Sequence, residues 1–296
     1  MLAGCGGGGD SAPDAATPDA APPDAAPLDA SLAFPEWLSQ AGLSDAALSF
    51  TPRYTLWADG ADKQRWIVLP AGAAVDQSDP DHWRFPVGTR FFKQFSLGGR
   101  ALETRLILRT GPGSMDYRMG AYVWLADGSD ARLAPAGAKD VLGTAHDVPS
   151  MDDCWACHLG EPGRILGYSQ LQLGPTPAPG DAVTARALGW LHANCGHCHN
   201  ENGIARPDVD MILRLGVGED VASSGAYRTA VGQRLTRFTG AGFTLRIAPG
   251  DPAMSGLFHR MSTRGNSDQM PPIASELVDP DGVDAVGAWI RSLPPP

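Results

Sequence analysis

Two copies of one five-residue frame constrain this chain more than any other feature. CWACH occupies residues 154–158 and CGHCH residues 195–199, so the second copy begins 41 residues after the first. Each frame sets two thiols three residues apart and a histidine directly after the second. A zinc site takes four ligands in a tetrahedron, which two cysteine pairs could supply. Zinc-ribbon pairs, however, are separated by ~15–20 residues and give no reason for a histidine in the same slot twice. A redox dithiol usually sits on a βαβ pattern, which is absent here. Covalent haem attachment needs two thiols for the vinyl groups and the next histidine for the iron, and both frames meet all three demands. The reading is therefore two haem c groups, held through Cys154, Cys157, Cys195 and Cys198, with His158 and His199 as proximal iron ligands.

Of the five cysteines only Cys5 falls outside the frames, so an unmodified chain has no spare pair for a disulfide framework. The formal charge is −10, and the first thirty residues contribute five aspartates and no lysine or arginine. The remainder is too mildly acidic to dictate a partner, and nucleic acid is disfavoured. No apolar run reaches the ~18 residues of a membrane-spanning helix. At 296 residues the chain has ample length for a buried core.

Residues 1–30 read as a leader and tether. From Asp14 the words PDAAT, PDAAP, PDAAP and LDA repeat at five residues. With almost no bulky side chains, the segment cannot bury enough area to offset chain entropy, and a disordered spacer is expected. Ahead of it, Leu2-Ala3-Gly4-Cys5 resembles the lipobox of bacterial lipoproteins. That resemblance implies lipidation at Cys5 and a lipid-anchored protein on the periplasmic side of a membrane, the outer before the inner. Four residues precede Cys5 where a secretory apolar region needs ~7–15, so the reading expects the true start to lie upstream or the chain to be truncated. Haem attachment of this kind is completed outside the cytoplasm, which agrees with an exported protein.

Residues 31–145 read as a β-rich, sandwich-like body. RWIVLPAG, FPVGTRFFKQFSLGG, ALETRLILRTGPG and GAYVWLADGSDARL each run strand then turn. Phe91, Lys93 and Phe95 alternate with Phe92, Gln94 and Ser96, and Thr104, Leu106 and Leu108 with Arg105, Ile107 and Arg109. Charged residues here read as solvated faces or turn partners. Residues 146–180 form a first haem-binding segment.

Residues 181–296 complete an α+β multidomain chain with a mostly helical unit. DAVTARALGWLHAN puts Val183, Ala187, Trp190 and Leu191 on one helical face that ends at the second frame. DPDGVDAVGAWIRSLPPP repeats Val283, Val286, Ile290 and Leu293 at helical spacing, and its prolines stop the helix. Met270-Pro271 lies between the two. This arrangement resembles the class I cytochrome c domain. The resemblance implies His199 proximal, Met270 distal, and a helix crossing at a small residue, matched here by Gly189 against Trp289. Met254 and Met261 are rival methionines better suited to filling a core.

The first iron is harder to complete. Thirty-six residues separate His158 from Cys195, too few for a distal loop of its own. Its sixth ligand must be borrowed, with His192 first, His146 second and Met115 or Met119 behind them, or the position is open. His197 is internal to the second frame and cannot reach its own iron; His82 and His259 read as surface residues.

From about residue 50 the chain also resembles a group of bacterial dihaem cytochrome c lipoproteins. The matching words are LWADGADKQRWIVLP, FPVGTRFFKQF, ETRL, VPSMDDCWACH, LGYSQLQL and LHANCGHCHN. The resemblance implies electron transfer between redox donor and acceptor proteins. Two other classes compete: a haem enzyme of peroxidase or oxygenase type with an open first iron, and a structural zinc protein.

Overall fold

A computed structural model describes residues 33–206, 208–238, 240–273 and 275–295. Cys5 and the whole of the expected leader and tether, residues 1–30, lie outside the described residues. Phe34–Pro296 form one compact unit. It is a mixed α+β structure built on one antiparallel sheet and several helices.

Six strands run as a meander, each pairing antiparallel with the next: β1 Leu48–Ser49, β2 Asp62–Val68, β3 Arg90–Leu97, β4 Arg100–Arg109, β5 Tyr117–Trp124 and β6 Ala131–Leu133. Gly98 and Gly99 join β3 to β4 with φ of 56° and 79°, the conformation that a two-residue hairpin matched to strand twist requires. The alternation expected in β3 and β4 is present, and both faces are buried. Phe92, Leu106 and Tyr122 pack against Leu38 and Ala41 on one side. Phe91, Ile67 and Met119 pack against Trp83, Phe85 and Tyr168 on the other. No second sheet forms among the described residues, so the sandwich-like expectation fails in that respect. Loops and helix-bearing segments supply the second layer on each face.

Helix α1 (Met151–His158) packs on β5, and the single turn α2 (Gln170–Leu173) follows it. Helix α3 (Ala182–Asn194) starts at Asp181, whose carboxylate accepts from Thr184 N–H. The short helices α4 (Gly225–Ala230) and α5 (Gly256–Met261) precede α6 (Pro280–Ser292), which opens with proline at its first position. Leu188, Leu191, Val286, Trp289 and Ile290 form the core where α3 meets α6. Val183, expected on the packed face of α3, is instead exposed, and Leu188 takes the buried place.

A small residue where α3 meets α6 is Gly282. A Cβ on Gly282 of α6 would lie 2.5 Å from Trp190 Cζ2 of α3, so Gly282 makes room for the indole. The Trp190 indole N–H also donates to Asp279 Oδ2 at 2.7 Å. Gly189 faces the Tyr54 ring, where an added Cβ would sit 2.6 Å from Cζ and closer still to Cδ1 and Cε1.

Candidate functional site

The first frame forms the C-terminal five residues of α1. Ser150 caps the helix, accepting from Asp153 N–H, while the Asp153 carboxylate accepts from Ser150 N–H at 3.0 Å. This reciprocal capping box fixes where the helix begins. Cys154, Cys157 and His158 then fall on neighbouring positions one turn apart. Burial pushes the Cys154 thiol up to about 11 and pulls His158 down to about 4. His158 Nδ1–H donates to the Arg164 carbonyl at 2.6 Å. That bond sets the tautomer and leaves the Nε2 lone pair for a metal. Arg164 has a left-handed backbone, with φ of 58°, and its guanidinium donates to Ser114 O and Glu161 O. No residue-type signal marks it in sequence, because its backbone oxygen does the work.

The second frame follows α3 directly. Cys195 N–H still bonds to Leu191 O, and His199 N–H bonds to Cys195 O at 2.8 Å. Asn200 locks the turn, its amide donating to Gly196 O at 2.7 Å and His197 O at 3.1 Å. Burial raises the Cys195 thiol to about 12 and lowers His199 to about 4, the latter against the pull of the Met211 carbonyl. His199 Nδ1 is buried without a closed hydrogen bond. Asn194, the last residue of α3, accepts from Trp57 N–H at 2.6 Å and donates to Thr55 O at 3.3 Å, tying the frame to the segment ahead of β2.

The two frames touch. A Cβ on Gly160 would lie 2.8 Å from Gly203 Cα and closer still to His197 O, so only glycine admits this approach. Cys198 Sγ stands 3.8 Å from Ala156 O. The Cys157 thiol meets Cys198 and His197; the shared hydrogen bond holds Cys157 low and pushes Cys198 up. Cys154 and Cys195 lie outside that contact, and among the described residues no group of three or more His, Cys, Asp or Glu side chains is arranged to hold a metal ion. The tetrahedral four-cysteine geometry a zinc site needs is thus not assembled.

Neither histidine expected to complete the first iron has the required nitrogen free. His192 Nδ1 accepts from Leu215 N–H at 3.1 Å, which puts the neutral ring's proton on Nε2. Burial, then Arg214 and His197, holds His192 neutral down to about pH 3. His146 Nε2 is 2.9 Å from Glu103 Oε2, and its ring lies over Phe95. Met115 is exposed, its sulfur near the Arg164 guanidinium. Met119 is buried on β5 in the cluster that also holds Cys154 and Trp155.

At the second frame, Met270 is half-buried. Its N–H bonds to Arg260 O at 3.0 Å, and Arg264 holds its carbonyl. Arg260 is also among the charges that depress His199. Met261 is buried in the α3–α6 core, as expected of a filler, and Met254 is exposed. His82 and His259 are half-buried and paired with Glu161 and Asp268 rather than free on the surface.

The largest departure from the sequence reading is charge. Glu103 is fully buried and Arg65 only 8% exposed, although both read as residues of a solvated face. Burial pushes the Glu103 carboxyl up, but Arg105 and His146 more than offset it and leave it below its ordinary value. Lys93 and Arg65 line a cavity of about 70 Å³ together with Tyr54, His192, Gly196 and His197. No family model, curated protein or solved structure matches this chain.

Proposed function

We propose that the chain is an exported, lipid-anchored dihaem c-type cytochrome that passes electrons between donor and acceptor proteins, with residues 181–296 as a class I cytochrome c-like part. The observation that carries the reading is the direct packing of the two Cys-x-x-Cys-His frames, each with a half-buried histidine that desolvation holds neutral. When bound, a haem supplies a one-electron couple at its iron; the chain supplies everything around it.

The donor set fits that group. His158 keeps Nε2 free because Arg164 O holds Nδ1. Cys154 and Cys157 lie one helical turn apart beside it. Met270 is the thioether assigned to the second iron, and a His/Met pair raises a potential relative to two nitrogen ligands. The cavity beside the frames has room for a few waters but not for a macrocycle.

Contact between frames favours electron transfer, because it brings the attachment points of two redox centres together without an intervening partner. A second reading, a haem enzyme with an open first iron, draws support from the engaged nitrogens of His192 and His146. Under the electron-transfer reading Met119 is the buried sulfur best placed to close that position.

A pyridine haemochrome spectrum, taken on protein produced with export and haem-ligation machinery, tests the proposal. A c-type spectrum with two haems per chain is expected. Folded exported protein that carries zinc and no haem would overturn it.

A further inference from the structure

The cavity of about 70 Å³ between the sheet and the second frame has an unbalanced lining. Strands β2 and β3 bring Arg65 and Lys93 to it, α2 brings Gln172, and α3 brings His192. Arg65 is directly opposite Lys93 in register, and Lys93 opposite Arg105, so the sheet carries a row of cations. Like charges so opposed destabilise a sheet. Glu103, the carboxylate beside the row, is already shared between Arg105 and His146. Arg65 reaches only Lys63 O, at 3.4 Å, and Lys93 only the Phe95 ring, 4.9 Å from its centroid. Among the described residues neither forms an ion pair with a carboxylate.

The one carboxylate in the cavity wall is Glu161, and both of its oxygens are engaged. Oε1 is 3.2 Å from His82 Nδ1, and Oε2 accepts from the guanidinium of Arg214, which lines the same cavity. That pair cancels its own charge and leaves Arg65 and Lys93 in excess. The neutral groups in the wall are donors as well. Gln172 is buried, and its Oε1 accepts from Tyr54 N–H at 2.9 Å, which orients the amide and leaves its N–H groups without a partner among the described residues. His192 accepts at Nδ1 from Leu215 N–H, so its Nε2 carries a proton with no acceptor among the described residues.

A buried lysine can relieve such an environment by shedding its proton, and burial with Arg105, Arg65 and Lys63 holds the Lys93 ammonium well below the ordinary lysine range. Arg65 has no such route. A guanidinium stays charged at any working pH, and Arg65 is only 8% exposed. A buried charge without a counter-charge is strongly unfavourable, so the wall calls for an anion that arrives from outside. The volume sets its size. Space for a few waters admits one compact inorganic anion and no organic acid.

We propose that this cavity binds one inorganic anion of halide size, held by the Arg65 guanidinium and the Lys93 ammonium, with the Gln172 amide and His192 Nε2–H as further donors. The anion bridges β2, β3, α2 and α3, and so ties the sheet to the helix that leads into the second frame. The inference does not use the haem reading.

The test uses the full-length exported chain as it is produced, in sodium chloride and in sodium gluconate at equal ionic strength. Gluconate carries the same charge, screens equally and is too large for the cavity. In wild type, chloride should raise the folded-to-unfolded ratio in urea, approaching roughly tenfold for each tenfold rise in chloride once the site is near saturation, and gluconate should not. Arg65→Gln and Lys93→Gln should lose that gain. Arg100→Gln, on the same sheet but bonded to the Leu142 and Ala126 carbonyls, should keep it. A second measurement needs no variant: wild-type crystals grown in sodium bromide should show an anomalous peak within hydrogen-bonding distance of Arg65 and Lys93. Equal stability in chloride and gluconate, a chloride gain that survives in Arg65→Gln, or a cavity without bromide would overturn the proposal and leave the cytochrome reading standing. A haem-free chain that shows the bromide peak would sink the cytochrome reading and leave this one intact.

Discussion

Gly189→Ala isolates the packing that seats the second frame. The added methyl would sit 2.6 Å from Tyr54 Cζ and nearer still to two other ring carbons, inside any tolerable contact. The ring cannot simply swing away. Its hydroxyl accepts from Ala178 N–H at 2.9 Å, and the Tyr54 N–H donates to Gln172 Oε1 at 2.9 Å. Overpacking of this kind costs about 1–3 kcal/mol. Freeing the Ala178 amide by displacing the hydroxyl adds about 1–3 kcal/mol if no water replaces it. Against this, alanine gains about 1 kcal/mol over glycine in a helix interior. The expected net is a loss of about 1–5 kcal/mol, read as a lower urea midpoint with an unchanged slope. Tyr54→Ala should absorb the penalty, so a double-mutant cycle should give a compensating coupling of at least about 1 kcal/mol. Trp289→Ala should give none with Gly189→Ala. A stabilised Gly189→Ala protein, or compensation from Trp289→Ala instead, would refute the Tyr54 contact and restore the crossing expected from the class I resemblance.

Three further outcomes follow from the same contacts. His158, His192 and His199 are held near pH 4, 3 and 4 in the folded, haem-free chain, below their ordinary 6.5. The unfolded chain therefore binds more protons between those limits, and stability should fall on acidification from pH 6.5 towards 4, by up to about 1.4 kcal/mol per unit for each ring. A urea midpoint that stays flat or rises over that window contradicts the burial of these rings. Met270→Ala should abolish the weak red sulfur-to-iron band and lower that haem's potential. Met254→Ala should leave the band intact, and Met261→Ala should keep it while costing about 2–5 kcal/mol of stability. Carbon monoxide should bind the wild-type first haem slowly and the Met119→Ala protein quickly, with His192→Gln unchanged. A rise in His192→Gln would reinstate that histidine as the ligand, and fast binding in wild type favours the enzyme reading.

The legible parts of this fold are those governed by short periods. The alternation of Phe91 and Phe92 onto opposite faces, the Gly98-Gly99 hairpin and the Val286 and Ile290 face of α6 follow from residues a few positions apart. The Gly189–Tyr54 contact joins positions 135 residues apart, and no local pattern distinguishes Tyr54 from Trp289 as the partner. The charged row was misread for a related reason. KQRWIV, FFKQF and ETRL alternate like half-solvated strands, and the burial of Arg65 and Glu103 depends on what covers the sheet. Had the three words been aligned as a meander, Arg65, Lys93 and Arg105 would have fallen opposite one another, which is a readable signal. For His146 and His192 residue type was informative and nitrogen availability was not. Their engagement with Glu103 and Leu215 N–H exists only in the folded chain.

Intact-protein mass spectrometry on the exported chain tests the central claim most directly, read frame by frame. Wild type should carry two covalent haems. Cys154→Ala with Cys157→Ala should lose one, Cys195→Ala with Cys198→Ala should lose the other, and the four-site variant should carry none. A wild-type mass without haem, or a haem count unmoved by either pair of substitutions, would contradict the account.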